Sequence, residues 1–218
     1  MTAGSAPAPL PARFARLVKV EHTVFALPFA YVGAFLAVNG TPGGHDLLWI
    51  TLAMVGARSL AMALNRLIDA GIDARNPRTA GRELPSGQLS VAQVAVFCAA
   101  SLALFLAAVW ELNPLVHRLW PIPVVGFVVY PYLKRFTWLC HLWLGAVDGL
   151  APVGAWVAIT GRLPWQAWIL GAAVALLLAY EHSLVRPGDL RRLDTAFFTM
   201  NGVISVMFAA FVIVDAAT

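Results

Sequence analysis

Long apolar runs separated by short polar connections set the pattern of this chain. They fall at about Thr23–Val38, Leu47–Asp69, Val91–Trp110, Leu119–Leu133, Leu139–Ile159, Trp165–Ala179 and Ala196–Val214. Continuous apolar runs of this kind predict helices, and about 20 apolar residues are what a helix needs to cross a bilayer. The pattern therefore predicts an all-α, polytopic transmembrane helix bundle of about seven helices. The fourth run is short and holds Pro121, Pro123 and Pro131. It is either tilted and kinked or extended by its flanks. The fifth carries Gly145, Ala146, Gly149, Ala151, Gly154 and Ala155, and small residues let helices approach closely in lipid. Ahead of the first run, residues 1–12 (MTAGSAPAPLPA) read as a disordered segment, and 13–218 as the membrane domain. Arg13, Arg16 and Lys19 before an apolar run resemble a signal peptide, but no small-x-small cleavage site follows.

Composition agrees with the pattern. The chain is 60% hydrophobic with a mean hydropathy of +0.76, well above soluble proteins. Its net charge of +4 does not point to nucleic acid, because the basic residues sit in short loops between apolar runs. Their distribution sets an orientation instead. Alternate connections hold Arg13, Arg16 and Lys19; Arg75, Arg78 and Arg82; Lys134 and Arg135; and Arg186, Arg191 and Arg192. The other side holds Arg118 and Arg162. By the positive-inside rule this multi-pass chain has its N-terminus in the cytoplasm, and seven helices leave the C-terminus outside. Cys98 and Cys140 lie in apolar segments without metal-ligand spacing and read as small core residues.

One polar block interrupts this apolar background. Asn65 to Ser90, NRLIDAGIDARNPRTAGRELPSGQLS, gathers Arg66, Asp69, Asp73, Arg75, Arg78, Arg82 and Glu83. Its first half continues the second helix. There Asn65, Asp69 and Asp73 stand at i, i+4 and i+8, in one narrow stripe with rungs roughly 6 Å apart. Such a ladder of hard oxygens suits Mg²⁺, which is usually held by one or two carboxylates plus substrate phosphates. The alternative is a solvated, topology-setting helix end. Lys134, Arg135, Arg78 and Arg82 face the same membrane surface and can converge on the ladder, although topology-setting charge looks the same. His22 reads as an interface residue. Asp148 lies at a polar cavity or near a helix end, and Glu181 and His182 at the end of the sixth helix. No GxSxG, P-loop or HExxH is present.

Asn65-x-x-x-Asp69-x-x-x-Asp73 followed by RNPRTAGRELPSG closely resembles the first aspartate motif of the UbiA-type membrane prenyltransferases. KVEHTVFALPFAYVGAF, YPYLKRFTWLCHLWLGAVDGLAPVGAWVAITG and FFTMNGVIS resemble that family too. The resemblance implies a helical membrane enzyme with a cytoplasm-facing cavity and a polyprenyl diphosphate bound through Mg²⁺. The allylic cation left by the diphosphate is attacked by an electron-rich aromatic acid, in quinone biosynthesis. It assigns Asn65, Asp69 and Asp73 to Mg²⁺-diphosphate, and Arg78, Arg82, Lys134 and Arg135 to the diphosphate or the aromatic acid, with Asp69, Asp73 and Arg135 as the catalytic set. The acceptor is a 4-hydroxybenzoate or, on the menaquinone side, a dihydroxynaphthoate. A non-catalytic membrane scaffold and a small transporter are rival readings. The resemblance also implies nine helices and a second acidic motif, of the DxxxD kind, after the sixth. Here PWQAWILGAAVALLLAYEHSLVRPGDL runs through that place without it, as if two helices were missing. Weak Mg²⁺-diphosphate binding through Asp69 and Asp73 and little or no prenyl transfer by a lone chain are therefore expected.

Overall fold

The computed structural model of the protein describes residues 8–183, and within them the side chains of all but residues 20–25, 179 and 181–183. The expected helix at Ala196–Val214, Arg186, Asp189, Arg191, Arg192 and Asp194, and the side chains of His22, Glu181 and His182, lie outside the described residues. Within them the chain is helical throughout. Its elements are α1 (Leu10–Val18), α2 (Val20–Val38), α3 (Gly44–Arg75), α4 (Val91–Trp110), α5 (Val116–Leu119), α6 (Pro121–Leu133), α7 (Cys140–Thr160) and α8 (Trp165–Ser183). Six of the seven apolar runs thus appear as helices. α3, α4 and α7 are each long and apolar enough to cross a membrane.

Three boundaries differ from the sequence expectation, each for a local reason. Leu10, Pro11 and Ala12, expected in a disordered segment, open α1, where the prolines occupy the first turn and need no N–H partner. α1 is amphipathic. It buries Leu17 and Val18 and stacks Phe14 on Phe97 at 4.7 Å between ring centroids. It ends at Lys19, whose left-handed backbone (φ 47°) turns the chain into α2. α3 does not stop at Asp69 but runs to Arg75. Its 32 residues span about 48 Å, against about 30 Å of hydrocarbon, so its last turns project beyond the apolar layer. The fourth run is extended by its flank, with α5 leading into α6 through Trp120. Pro121, which has no N–H, interrupts the backbone ladder between them.

The bundle packs through small residues, as the Gly/Ala spacing predicts. A Cβ on Gly149 of α7 would lie 2.5 Å from the carbonyl oxygen of Gly171 in α8. One on Gly56 of α3 would lie 2.7 Å from the Phe105 nitrogen of α4. Backbones this close give α7–α8 and α3–α4 their contact area in a medium where apolar side chains gain little by leaving lipid. One buried cluster joins Ala30 and Ala34 of α2, Ile50 of α3, Phe105 and Val109 of α4, and Ala155, Val157 and Ala158 of α7. A second joins Leu17 and Val18 of α1 to Leu60 and Ala63 of α3, to Leu84 and Leu89 of the connection after α3, and to Val94 and Cys98 of α4. This second cluster fixes the polar block against the helices. Cys98 and Cys140 are both buried and free.

Candidate functional site

The last turns of α3 present Asn65, Asp69 and Asp73 to the end of α6, and both acids are buried, at 2% and 7% exposure. Lys134, the C-cap of α6, reaches across. Its ammonium donates to Asn65 Oδ1 at 2.7 Å and forms a close ion pair with Asp69 Oδ2. Arg135 donates from Nη2 to Asp69 Oδ1 at 3.2 Å and to the Ile68 carbonyl at 3.0 Å. Asp73 is turned to a different partner, with its Oδ2 2.7 Å from Arg82 Nη1. The ladder is therefore split: the first two rungs share one ammonium and the third holds a guanidinium. Each carboxylate has its counter-charge within the protein, which is what permits its burial.

The connection from Asn76 to Ser90 is what delivers Arg82. Thr79, itself buried, donates from its hydroxyl to the Asp73 carbonyl at 2.9 Å and ties the loop to the end of α3. Leu84 and Leu89 anchor its far half in the core, and Gly87 (φ 74°) makes a left-handed turn that a side chain would disfavour. Ser90 then starts α4 with a capping box, accepting from the Gln93 N–H and donating its own N–H to Gln93 Oε1. From outside, Arg13 of α1 donates to the Gln88 carbonyl at 2.9 Å and Arg16 lies 3.8 Å from Glu83. Residues expected only to set topology thus also hold the loop in place.

Beneath the ladder lies a cavity of about 520 Å³, within the roughly 300–1,000 Å³ of small-molecule sites. Its walls are mainly apolar side chains of α2, α3, α4, α6 and α7, with Asn65, Arg66 and Arg82 at the ladder end. Asp69, Asp73 and Lys134 are not in its walls, whereas Arg82, the partner of Asp73, is. Deeper in, Arg58 of α3 pairs with Asp148 of α7, Nη1 to Oδ1 at 2.9 Å. Asp148 therefore forms, with Arg58, a polar spot in the otherwise mainly apolar cavity rather than standing at a helix end. Arg58 Nε is buried without a hydrogen-bond partner. Seven residues before Asn65, Arg58 lies about 10 Å further along the α3 axis.

Of the predicted site residues, Asn65, Asp69, Asp73, Arg82, Lys134 and Arg135 come together. Arg78 does not. It is exposed, and only its backbone N–H is engaged there, with Asn76 Oδ1 at 3.0 Å. It makes no ion pair with Asp69 or Asp73, so the convergence on the carboxylates expected of it is not seen among the described contacts. Arg58 and Arg66 were not singled out as site residues; the signal of Arg58 was a single charge inside an apolar run, and that of Arg66 its place beside Asn65 in the charged block.

Residues 26–195 match the family model described as the UbiA prenyltransferase family. The chain belongs to the UbiA prenyltransferase family. It is 35% identical over 148 residues to the 4-hydroxybenzoate octaprenyltransferase of Vibrio vulnificus (strain CMCP6), covering 67% of this chain and 52% of that protein. The chain thus spans about half the length of the curated relatives it matches. The apo structure of a UbiA homologue from Aeropyrum pernix K1 superposes with a TM-score of 0.70 at 30% identity, covering 88% of this chain and 77% of that one. A UbiA homologue from Archaeoglobus fulgidus, bound to DMAPP and Mg²⁺, shares the fold with a TM-score of 0.57 at 17% identity, covering 94% and 99%.

The donors here fit a divalent ion of the Mg²⁺ kind. Asn65 Oδ1 and Asp69 Oδ2, two hard oxygens, already converge on one cationic centre, the Lys134 ammonium. Among the described residues no three acidic, His or Cys side chains form a ready cage. Mg²⁺ does not require one, since water and substrate phosphate usually complete its shell.

Proposed function

We propose that this UbiA family member is a Mg²⁺-dependent aromatic prenyltransferase of quinone biosynthesis, moving a polyprenyl group from polyprenyl diphosphate to a 4-hydroxybenzoate-type acid. The observation that carries the reading is the charge arrangement at the mouth of an apolar cavity. Two buried carboxylates are each paired with a cationic side chain, Asp69 with Lys134 and Asp73 with Arg82, beside the cavity that Arg82 lines. The names of the curated relatives support the acceptor class, and the diphosphate and Mg²⁺ in the Archaeoglobus homologue support the donor and the metal.

In this reading Asn65, Asp69 and Asp73 hold Mg²⁺, which when bound offsets the charge of the diphosphate. Lys134, Arg135 and Arg82 turn from the carboxylates to the phosphate oxygens, where charge grows as the bond breaks. The allylic C–O bond cleaves and its electron pair leaves with the diphosphate. An electron-rich carbon of the acceptor ring then forms the new C–C bond, and the ring proton is lost. The apolar walls hold the prenyl chain and keep water from the cation. Arg58, which lines the cavity, meets the acceptor carboxylate, and Asp148 holds the guanidinium through its Nη1. The ladder faces the cytoplasm, by the distribution of Lys and Arg.

Purified protein with labelled polyprenyl diphosphate, Mg²⁺ and 4-hydroxybenzoate or a dihydroxynaphthoate in turn tests this. Labelled prenyl-hydroxybenzoate is expected, at a rate below that of a longer relative. Product with the dihydroxynaphthoate alone would move the acceptor. No product with either would refute the transferase reading.

A further inference from the structure

Outside the cavity, the cytoplasmic end of the bundle leaves large apolar side chains open. Phe136 and Trp138, in the connection between α6 and α7, are 85% and 77% exposed, and Tyr132 and Leu139 beside them are half-exposed. The same connection forms one end of a groove of about 450 Å³ between α6 and α7, with Leu133, Thr137, Leu139, Leu142 and Ala146 in its walls. No charged side chain lines this groove. Tryptophan and tyrosine concentrate at the boundary between lipid and water, where the ring meets acyl chains and its polar edge meets headgroups.

Positive charge stands at the same level. Lys134 and Arg135 open the connection and share one carboxylate, Asp69. Arg135 also donates to the Ile68 carbonyl, so the connection meets α3 there. Ile68, Ile72 and Arg75 follow at i, i+4 and i+7, on one face of α3. Ile72 is 48% exposed and Arg75 is exposed. Among the described residues no carboxylate pairs with Arg75. Arg75 lies about 10 Å beyond Ile68 along the helix axis. Because α3 is longer than the hydrocarbon layer is thick, its last turn reaches the headgroups. On this side three cations face one acid. A second copy docked here about a twofold axis would bring the same positive excess to the contact from both sides. An anionic phospholipid matches the surface: its chains need an uncharged groove and its phosphate needs a cation that is not already neutralised.

We propose that this face is a docking surface for anionic phospholipids of the cytoplasmic leaflet. The groove and the open rings of Phe136 and Trp138 take acyl chains, and Arg75 takes a headgroup phosphate. The leaflet thereby steadies the connection that carries Lys134 and Arg135. The surface lies apart from the cavity and does not depend on the transfer reaction.

The test is lipid binding to the purified full chain in detergent, stripped of lipid. Phosphatidylglycerol and phosphatidylcholine brominated on the same acyl carbons quench tryptophan fluorescence on contact. The quenching lost in Trp138→Phe isolates the signal of this face. Wild type is expected to reach half-quenching at about fivefold less phosphatidylglycerol than phosphatidylcholine, the contribution of one arginine at an anionic surface. Arg75→Gln should remove that preference and leave the phosphatidylcholine curve in place. Ala146→Phe, which fills the groove, should weaken both lipids. Equal half-quenching by the two lipids in wild type, or a preference that survives in Arg75→Gln, would overturn the proposal. Unchanged binding of both lipids by a folded Ala146→Phe would do so too. If Ala146→Phe does not fold, Arg75→Gln decides, since that side chain is exposed. A lipid-stripped wild type that sediments as a dimer, and becomes a monomer in Ala146→Phe, would give the face to a second copy and overturn the lipid.

Discussion

Removing Lys134 should both destabilise the protein and open its metal site. In the structure its ammonium is the shared partner of Asn65 and Asp69, at the point where a divalent ion would sit. Breaking a buried ion pair by deleting one partner costs about 3–5 kcal/mol. Two features reduce that figure here. Arg135 remains 3.2 Å from the other oxygen of Asp69, and the Lys134 side chain is 29% exposed. Lys134→Ala is therefore expected to cost about 2 kcal/mol in chelator, which lowers the unfolding midpoint by roughly 4–8 °C for a chain of this size. Mg²⁺ should then restore stability, because it no longer competes with a tethered cation. At a hundred times its dissociation constant it contributes about 2.7 kcal/mol. The assay is thermal unfolding in detergent at one scan rate, with chelator and with a Mg²⁺ titration. Wild type should respond weakly to Mg²⁺ alone and Lys134→Ala strongly. A variant as stable as wild type in chelator, or one indifferent to Mg²⁺, would refute the idea that Lys134 stands in for the ion.

Further expectations follow from other parts of the bundle. Arg58→Met should raise KM for the aromatic acid while leaving retention of the prenyl diphosphate intact, since Arg58 sits deeper than the ladder; an unchanged KM would remove it from acceptor binding. Gly149→Ala should cost about 1–3 kcal/mol, read from thermal unfolding, because its Cβ would press on the Gly171 carbonyl and the two backbones must part. Ser90→Ala should cost about 1 kcal/mol by the same measurement through loss of the α4 cap. Cysteines placed at Gly81 and Arg162 should react with an impermeant maleimide from opposite sides of the membrane, and labelling from one side would contradict the orientation.

The apolar pattern was enough to find each described spanning element, and α4 appears at its expected limits, Val91–Trp110. The reason is that continuous apolar runs admit few alternatives in lipid. The motif's one-stripe geometry was also legible, since helical spacing alone aligns Asn65, Asp69 and Asp73. What lies across from the stripe was not. That Lys134 meets the first two rungs and Arg82 the third depends on how α6 and the Asn76–Ser90 connection cross α3, which no local spacing encodes. Arg78 and Arg82 looked equivalent in RTAGR, but the turn at Asn76–Ala80 sends one out and the other in. Arg58 was hidden because its partner, Asp148, is distant in sequence. α1 was hidden because prolines suggested disorder, although in a first helical turn they cost nothing.

Retention of a labelled polyprenyl diphosphate measures the ladder itself. Wild type and Asp69→Ala are compared with and without Mg²⁺, both shown to be folded by their far-ultraviolet circular dichroism. Wild type is predicted to retain more diphosphate when Mg²⁺ is added, and Asp69→Ala to lose that increment while keeping its metal-free binding. An equal Mg²⁺ increment in both would show that the buried carboxylates are only a paired helix end.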